Sequence, residues 1–476
     1  MSASRVCLPD EVLLLIGEHI DSRSDRYNLP LVCRQFHQLF LSLFYRNVQL
    51  HDWRQAYSFL KALIARPFLS AAIHELDSSQ WQQDSVPIQE WQTLWGCPTL
   101  NRCITGLAPS KQESEMWMHH LLGGRGDTWT ALLFPLLSHI RKLHLVYYEC
   151  ALPLRRVLYQ AVTEGESFIP DITFSHLREV SLLYQGDTSF VGDISLEHPN
   201  LLLMFTQLPS ACSIVADSVV EFQTSTEPHN VKGLTPYPMT LRFSSPLEID
   251  LRRSCANQGM ASLIPLCSNL RSFKYQHSDQ HLASHGYQPA RLRRWLSPSR
   301  ATLQTLWLDH YGDHYAFTAG GLNQTRDEWF GSLAEFSALK EVRIRLPNLL
   351  DIQYQTEPTQ PLVDCLPATL EHLHVEGCEE RHVSMLVAQL RSVVQMRHKT
   401  FPCLHRLEIE GPFQQVSTEH ESEDASHRPE EFAALQHTIK PKILQAVEPL
   451  HEDCVSSGIA LHLLDRTVLP IALDDR

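Results

Sequence analysis

The chain has 476 residues, and with 43% hydrophobic and 20% charged residues its composition is that of a folded protein rather than a disordered one. Forty Lys and Arg against 54 Asp and Glu leave a formal charge of −14, which argues against general affinity for a nucleic-acid backbone or an anionic membrane. Twelve cysteines without a Cys-x-x-Cys pair read as reduced thiols of an intracellular protein. The amino terminus lacks the apolar segment of a signal peptide and no apolar run is long enough to span a bilayer, so a cytoplasmic and/or nuclear location is expected.

The first fifty residues read as helices with too much apolar surface for their size. Pro9 suits a helix start, and Asp10 and Glu11 place negative charge at the positive end of the helix dipole. Val12, Leu13, Leu14, Leu15, Ile16 and Ile20 then cover most of the circumference, where a surface helix keeps one stripe. Leu31, Val32, Phe36, Leu39, Phe40, Leu43 and Phe44 do the same, with Arg26 to Asn28 reading as loop and Pro30 opening the second helix. So small a unit cannot bury that surface alone. The pattern Leu8-Pro9-x-Glu11-Val12-Leu13-x-x-Ile16, then Leu29-x-Leu31-Val32-Cys33-Arg34-x-Phe36, ending in Phe44-Tyr45-Arg46-x-Val48, resembles the F-box. The resemblance covers residues 5–48 and implies a helical module that docks on the Skp-type adaptor of a cullin–RING ubiquitin ligase. Leu8, Pro9, Val12, Ile16, Leu31, Val32, Cys33 and Phe36 would carry the contact. Two residues depart from the pattern: Gly17, with a helix cost of about 1 kcal/mol relative to Ala, and Pro30, which sits where many relatives continue a helix.

Residues 49–136 read as a linker helix and irregular first repeats. Tyr57, Leu60 and Ile64 recur at helical spacing from Trp53 to Ala65, Arg66-Pro67 stops them, and the run from Phe68 to Leu76 leads into a short strand. This run, Arg66-Pro67-x-Leu69-x-x-x-Ile73-x-x-Leu76, is similar to the segment that follows the F-box in fungal F-box proteins with leucine-rich-like repeats. Trp81, Trp91, Trp95, Trp117 and Trp129 are expected to be buried packing groups.

From residue 137 one phrase recurs, Leu-x-x-Leu-x-Leu, led by Ile140, Leu177, Leu270, Leu303, Leu339, Leu370 and Leu404. The last five lie 33, 36, 31 and 34 residues apart, and a near-constant period marks a stacked repeat. The alternating end of each phrase sends its apolar side chains to one side of a strand. Between phrases, Val383, Leu386, Val387, Leu390, Val393 and Val394 give a helical face; Thr325 to Glu328, before Trp329, Phe330, Leu333 and Phe336, has the form of a capping box opening another helix. Around Leu247-x-Ile249-x-Leu251 the repeats degenerate and a long loop is expected. Phe432 to Val455 reads as helix interrupted near Pro441 and Pro449, and Ile459 to Leu463 as a closing strand. Strand plus helix, repeated, resembles an irregular leucine-rich repeat. The expected fold is therefore α/β: a short helical F-box followed, over 137–476, by a leucine-rich-repeat-like solenoid with a parallel sheet and outer helices. An acidic loop over 416–431 is expected to be disordered.

No motif carries catalysis. There is no Gly-x-Ser-x-Gly, no His-Glu-x-x-His, and Gly123-Gly124-Arg125-Gly126 lacks the Lys-Ser/Thr of a phosphate loop. His372, His374, Cys378 and His382 come closest to a metal set, but at no known zinc spacing, so no cofactor or metal is expected. What remains is surface. Residues alternating with the buried Leu of each phrase would line one side of the sheet, and a target-binding face is expected at His144, Ser181, Lys274, Trp307, Arg343, Arg345, His374 and Glu408. A Trp beside two Arg is the mix enriched at binding hot spots. The expectation is a non-catalytic substrate receptor, tethered by the F-box to a Skp-type adaptor and through it to a cullin. It would bind a protein target and no nucleic acid or membrane. An interaction scaffold without a ligase role is the alternative.

Overall fold

In the computed structural model, the described residues are 8–20, 22–108, 110–148, 151–162, 174–184, 202–221, 246–256, 260–278, 288–310, 329–352, 357–414 and 439–465, less 203, 209, 262 and 268. They fall into two compact units, Met1–Asp217 with Leu234–Pro246, and Ser218–Gly233 with Leu247–Arg476. The acidic stretch 416–431 and the capping-box residues 325–328 lie outside the described residues.

The first unit opens with three helices, α1 (Asp10–Glu18), α2 (Arg23–Val32) and α3 (Arg34–Phe44). Pro9 caps α1, its carbonyl accepting from the Val12 and Leu13 N–H at 3.1 Å. Residues 26–28 are helical rather than loop, because Ser22 Oγ caps α2 by accepting from Asp25 N–H at 3.3 Å. Pro30 therefore sits inside α2, not at its start. The helix ends two residues later at Val32, and the extended Cys33 (φ −159°) that follows accepts from Phe36 N–H through its Sγ at 3.4 Å and starts α3.

Gly17, one of the two departures from the motif, has a packing reason. A Cβ there would lie 2.6 Å from Phe40 Cε1 and 3.0 Å from Leu43 Cδ2, so the missing side chain lets α1 lie against α3. Tyr45 stacks on Phe59 at 6.3 Å between ring centres, which fastens the three helices to α4 (Trp53–Ala65). Asp52 Oδ1 accepts from Gln55 N–H at 2.8 Å to cap α4, and Trp53, Ala56, Phe59, Leu60 and Leu63 are buried along it. The run after Arg66 is a 3-10 helix, Pro67–Ala72, and the strand comes only at Glu75. Trp81, Trp117 and Trp129 are core groups as expected. Trp91 and Trp95 are not: with Ile88 they form an exposed stripe on the helix Ile88–Trp95.

The sheet of this unit is parallel, in the order β1 (Asn47–Gln49), β2 (Glu75–Asp77), β3 (Lys142–Tyr147), β4 (Glu179–Tyr184) and β5 (Ser213–Asp217). Leu76, Leu143, Leu145, Val180, Leu182 and Ile214 point into the core from it.

The second unit repeats the plan. β6 (Val220–Glu221) pairs with β7 (Glu248–Ala256), and from β7 the parallel order is β8 (Ser272–His277), β9 (Thr305–His310), β10 (Glu341–Arg345), β11 (His372–Glu376), β12 (Arg406–Gly411) and β13 (Ala460–Asp465). Every phrase read from the sequence in this unit is a strand, and its Leu-x-Leu pair is buried. The helix Val383–Gln395 buries the six apolar residues expected of it. It packs on Pro441–Ser457, where Arg391 Nε reaches Asp453 Oδ2 at 2.7 Å. That second helix runs uninterrupted through Pro449 and stops at Gly458, whose left-handed φ of 66° suits the residue after a helix end. Residues 329–340 correct another expectation. They form turns rather than a helix, yet Phe330, Leu333 and Phe336 still drop into the core.

Candidate functional site

Two surfaces gather the residues picked out from the sequence. The first is on α1 to α3. Phe40 and Leu43 turn inward with Gly17, Phe36 lies edge-on to Phe40 at 5.1 Å, and Tyr27 packs on Phe44 at 5.5 Å. These contacts use only one side of the helices. Leu15, Ile16, Leu31 and Val32 remain 57%, 49%, 65% and 66% exposed, and Leu8 and Val12 are exposed beside them in the sequence pattern. Cys33 is also exposed and Phe36 half-buried. Gln35 Nε2 donates to Asp10 Oδ1 at 2.9 Å, which ties the start of α3 to the start of α1. Leu15 and Tyr27 belong to the exposed apolar set and were not singled out from the sequence; Leu15 follows Leu13 and Leu14 in an unbroken apolar run, where periodicity gives no side preference.

The second surface is the sheet face opposite the buried Leu side chains. In the first unit, register sets His144 beside Ser181; His144 Nε2 lies 3.8 Å from Glu75 Oε1, and both face residues are half-buried. In the second unit, register alone puts Asp250, Lys274, Trp307, Arg343, His374, Glu408 and His462 in one row across seven strands. Trp307 is held between cations, with Lys274 Nζ 3.7 Å and the Arg343 guanidinium carbon 5.7 Å from its ring centre. Its indole N–H has no hydrogen-bond partner among the described residues.

One step further along each strand, on the same face, lie Asp309, Arg345, Glu376 and Glu410. Sequence reading stopped short of three of them, although the same alternation points to them. Arg343 pairs with Glu376, and reaches Asp309 at 3.5 Å and Glu410 at 3.8 Å. Burial alone would lower its pKa, but the charges of Glu376, Asp309 and Glu410 outweigh burial and raise it. His374 sits between two carboxylates, Nδ1 3.1 Å from Glu408 and Nε2 2.8 Å from Glu410. His372 Nε2 lies 3.1 Å from Glu408, whose other oxygen takes the Arg406 guanidinium at 2.5 Å. Burial pushes Glu408 up, but Arg406, His374 and His372 together bring its pKa below the usual carboxylate range. Arg345, His374 and Glu408 are only 3%, 6% and 6% exposed, whereas Lys274, Trp307 and Arg343 are half-buried and so more accessible.

These charges also bear on metal binding. His374, Glu376 and Glu410 bring ligand atoms within 4.8 Å of one another. Arg343 already supplies the cation between the two carboxylates, so the arrangement is that of an ion-pair cluster. Cys378 is fully buried, and burial pushes its thiol up to about 12.

With this geometry in place, two family models match the chain. One described as a leucine-rich repeat domain covers residues 55–411, and one described as F-box-like covers residues 6–51. A search of curated proteins finds no match to the chain. No helix among the described residues is long and apolar enough to cross a membrane.

Proposed function

The chain belongs to the leucine-rich repeat family, and from that membership and its F-box-like amino terminus we propose that it is the substrate-recognition subunit of a cullin–RING (SCF-type) ubiquitin ligase. The observation that carries this reading is the orientation of the F-box-like helices. Had they been a cap for the repeats, their apolar sides would be packed on α4. Instead Tyr45 stacks on Phe59 of α4 and Phe40 and Leu43 pack against Gly17 of α1, while Leu15, Ile16, Leu31 and Val32 face solvent. An exposed apolar cluster of this kind marks a protein-binding surface. The partner would be a Skp-type adaptor, with Leu8, Pro9, Val12, Ile16, Leu31, Val32, Cys33 and Phe36 in or beside the contact.

The sheet face would hold the target protein, with Trp307 as anchor between Lys274 and Arg343, and with His144 and Ser181 on the corresponding face of the first unit. Arg345, His374 and Glu408 would set the charge behind that face. The chain would perform no chemistry itself: it would raise the local concentration of a target's lysines at a ubiquitin-charged partner and fix their orientation.

A pull-down of purified chain on a recombinant Skp-type adaptor tests the reading. Wild type is expected to bind and I16D/V32D to lose binding by a hundredfold or more, with circular dichroism unchanged because both positions are exposed. Failure of the wild-type chain to bind would remove the ligase assignment and leave the alternative, a repeat scaffold for protein interaction.

A further inference from the structure

At the leading ends of β1 to β4, the residue before each strand is basic: Arg46, His74, Arg141 and Arg178. Backbone bonds hold the four in line. The Arg46 carbonyl accepts the N–H of His74 and Glu75 at 2.9 and 3.0 Å, and the His74 carbonyl accepts those of Arg141 and Lys142 at 2.7 and 3.0 Å. The Arg141 carbonyl likewise accepts those of Arg178 and Glu179 at 2.8 and 3.1 Å. Four basic side chains are thus set at the spacing of neighbouring strands, about 4.8 Å, over about 14 Å. Two residues before Arg141 and Arg178, the rings of His139 and His176 stack at 5.3 Å with 12° between their planes.

The row is short of negative charge. Arg46 meets Glu18 at 3.3 Å across an exposed pair. Arg141 and Arg178 are exposed and have no ion-pair partner among the described residues. Of the two closest acids in the sequence, Glu179 is paired with Lys142 at 2.5 Å, and Glu75 lies 3.8 Å from His144 Nε2 on the sheet face. His74 registers the imbalance: burial lowers its pKa first, and Arg141, Arg46, His139 and His176 lower it further, all charges of one sign. In a chain of net charge −14, this is a local reversal of sign.

We propose that this ridge is a docking surface for an acidic polypeptide segment, a run of Asp and Glu lying in extended form across β1 to β4. An extended chain advances about 3.3 Å per residue, so about four or five residues match the ridge. The brevity of the ridge and the negative charge of the rest of the molecule favour a short acidic run over a long nucleic acid, whose flanking phosphates would be repelled. The surface shares no residue with the apolar side of α1 to α3, so the inference stands apart from the adaptor contact.

The test is fluorescence anisotropy of a labelled ten-residue polyglutamate peptide titrated with the full chain. A neutral Gly-Ser peptide and a ten-nucleotide oligothymidylate serve as the other probes. The acidic peptide is expected to bind, and its affinity to fall several-fold from 50 to 300 mM salt as screening increases. R141E/R178E should weaken it at least tenfold, whereas R294E/R300E, at exposed arginines of the second unit, should leave it unchanged. Should R141E/R178E fail to fold by circular dichroism, R141Q/R178Q replaces it and should weaken binding in the same direction. Equal binding of the neutral peptide, unchanged affinity in the ridge variant, or tighter binding of the oligothymidylate would overturn the proposal.

Discussion

Gly17 shows how one residue can look like a defect in sequence and be a requirement in structure. Helix propensity alone says that a larger residue there should help by about 1 kcal/mol. The close approach of α1 to α3 says the opposite, because the space that a Cβ would enter is held by the buried ring of Phe40. Overpacking costs about 1–3 kcal/mol and outweighs the propensity gain. Gly17→Leu is therefore expected to destabilise the three helices by about 1–3 kcal/mol and to shorten their lifetime in limited proteolysis; Gly17→Ala should fall between it and wild type. A Gly17→Leu chain as stable as wild type would mean that α1 does not lie where Phe40 and Leu43 confine it. The exposed neighbours behave differently: Ile16 and Val32 contribute little to folding, so their replacement should change binding without changing stability.

At the scale of elements, the helix Val383–Gln395 carries the most direct stability prediction. Leu390 is 1% exposed, and Leu390→Ala should cost about 2–5 kcal/mol in urea unfolding of the second unit. This helix and the strands were legible because each obeys one period: six apolar residues at helical spacing, or Leu-x-Leu at strand spacing. Misreadings came where two structures satisfy the same spacing. Phe330, Leu333 and Phe336 recur as they would on a helix, but a chain of turns also drops every third or fourth side chain into a core. Arg26 to Asn28 read as loop because they are polar, while the cap from Ser22 and the aromatic pair Tyr27 and Phe44 make them helical.

The sheet face was half legible. Alternation said which residues share a face, but neighbours such as Arg343 and Glu376 are 33 positions apart in sequence, and nothing local encodes the register that joins them. The cationic ridge had a signal that the reading passed over. Arg follows the first apolar residue of the phrase at Arg141, Arg178 and Arg271, and a recurring position in a repeat becomes a row in space.

For the molecule as a whole, the presence of two compact units means that a single unfolding free energy is not defined. Calorimetry is expected to resolve more than one transition. A Skp-type adaptor at about a hundred times its Kd should stabilise only the transition of the unit that carries α1 to α3, by about 2.7 kcal/mol. A single transition, displaced as a whole by the adaptor, would show instead that the chain unfolds in one step.

The backbone bonds at the leading ends of the strands have a wider consequence. They join one repeat to the next through a few residues and take no account of what the chain does in between. From the first residue of β2 to that of β3 is 67 positions, 75 to 142; from β7 to β8 it is 24, 248 to 272. Were both crossovers unstructured, closing the longer one would cost only about 1 kcal/mol more, since the penalty grows with the logarithm of length. Crossovers are thus free to lengthen, shorten or be exchanged while the sheet stays in register. Novelty can accumulate in this architecture by insertion as well as by substitution, and a reporter domain spliced into a crossover should leave the strands paired.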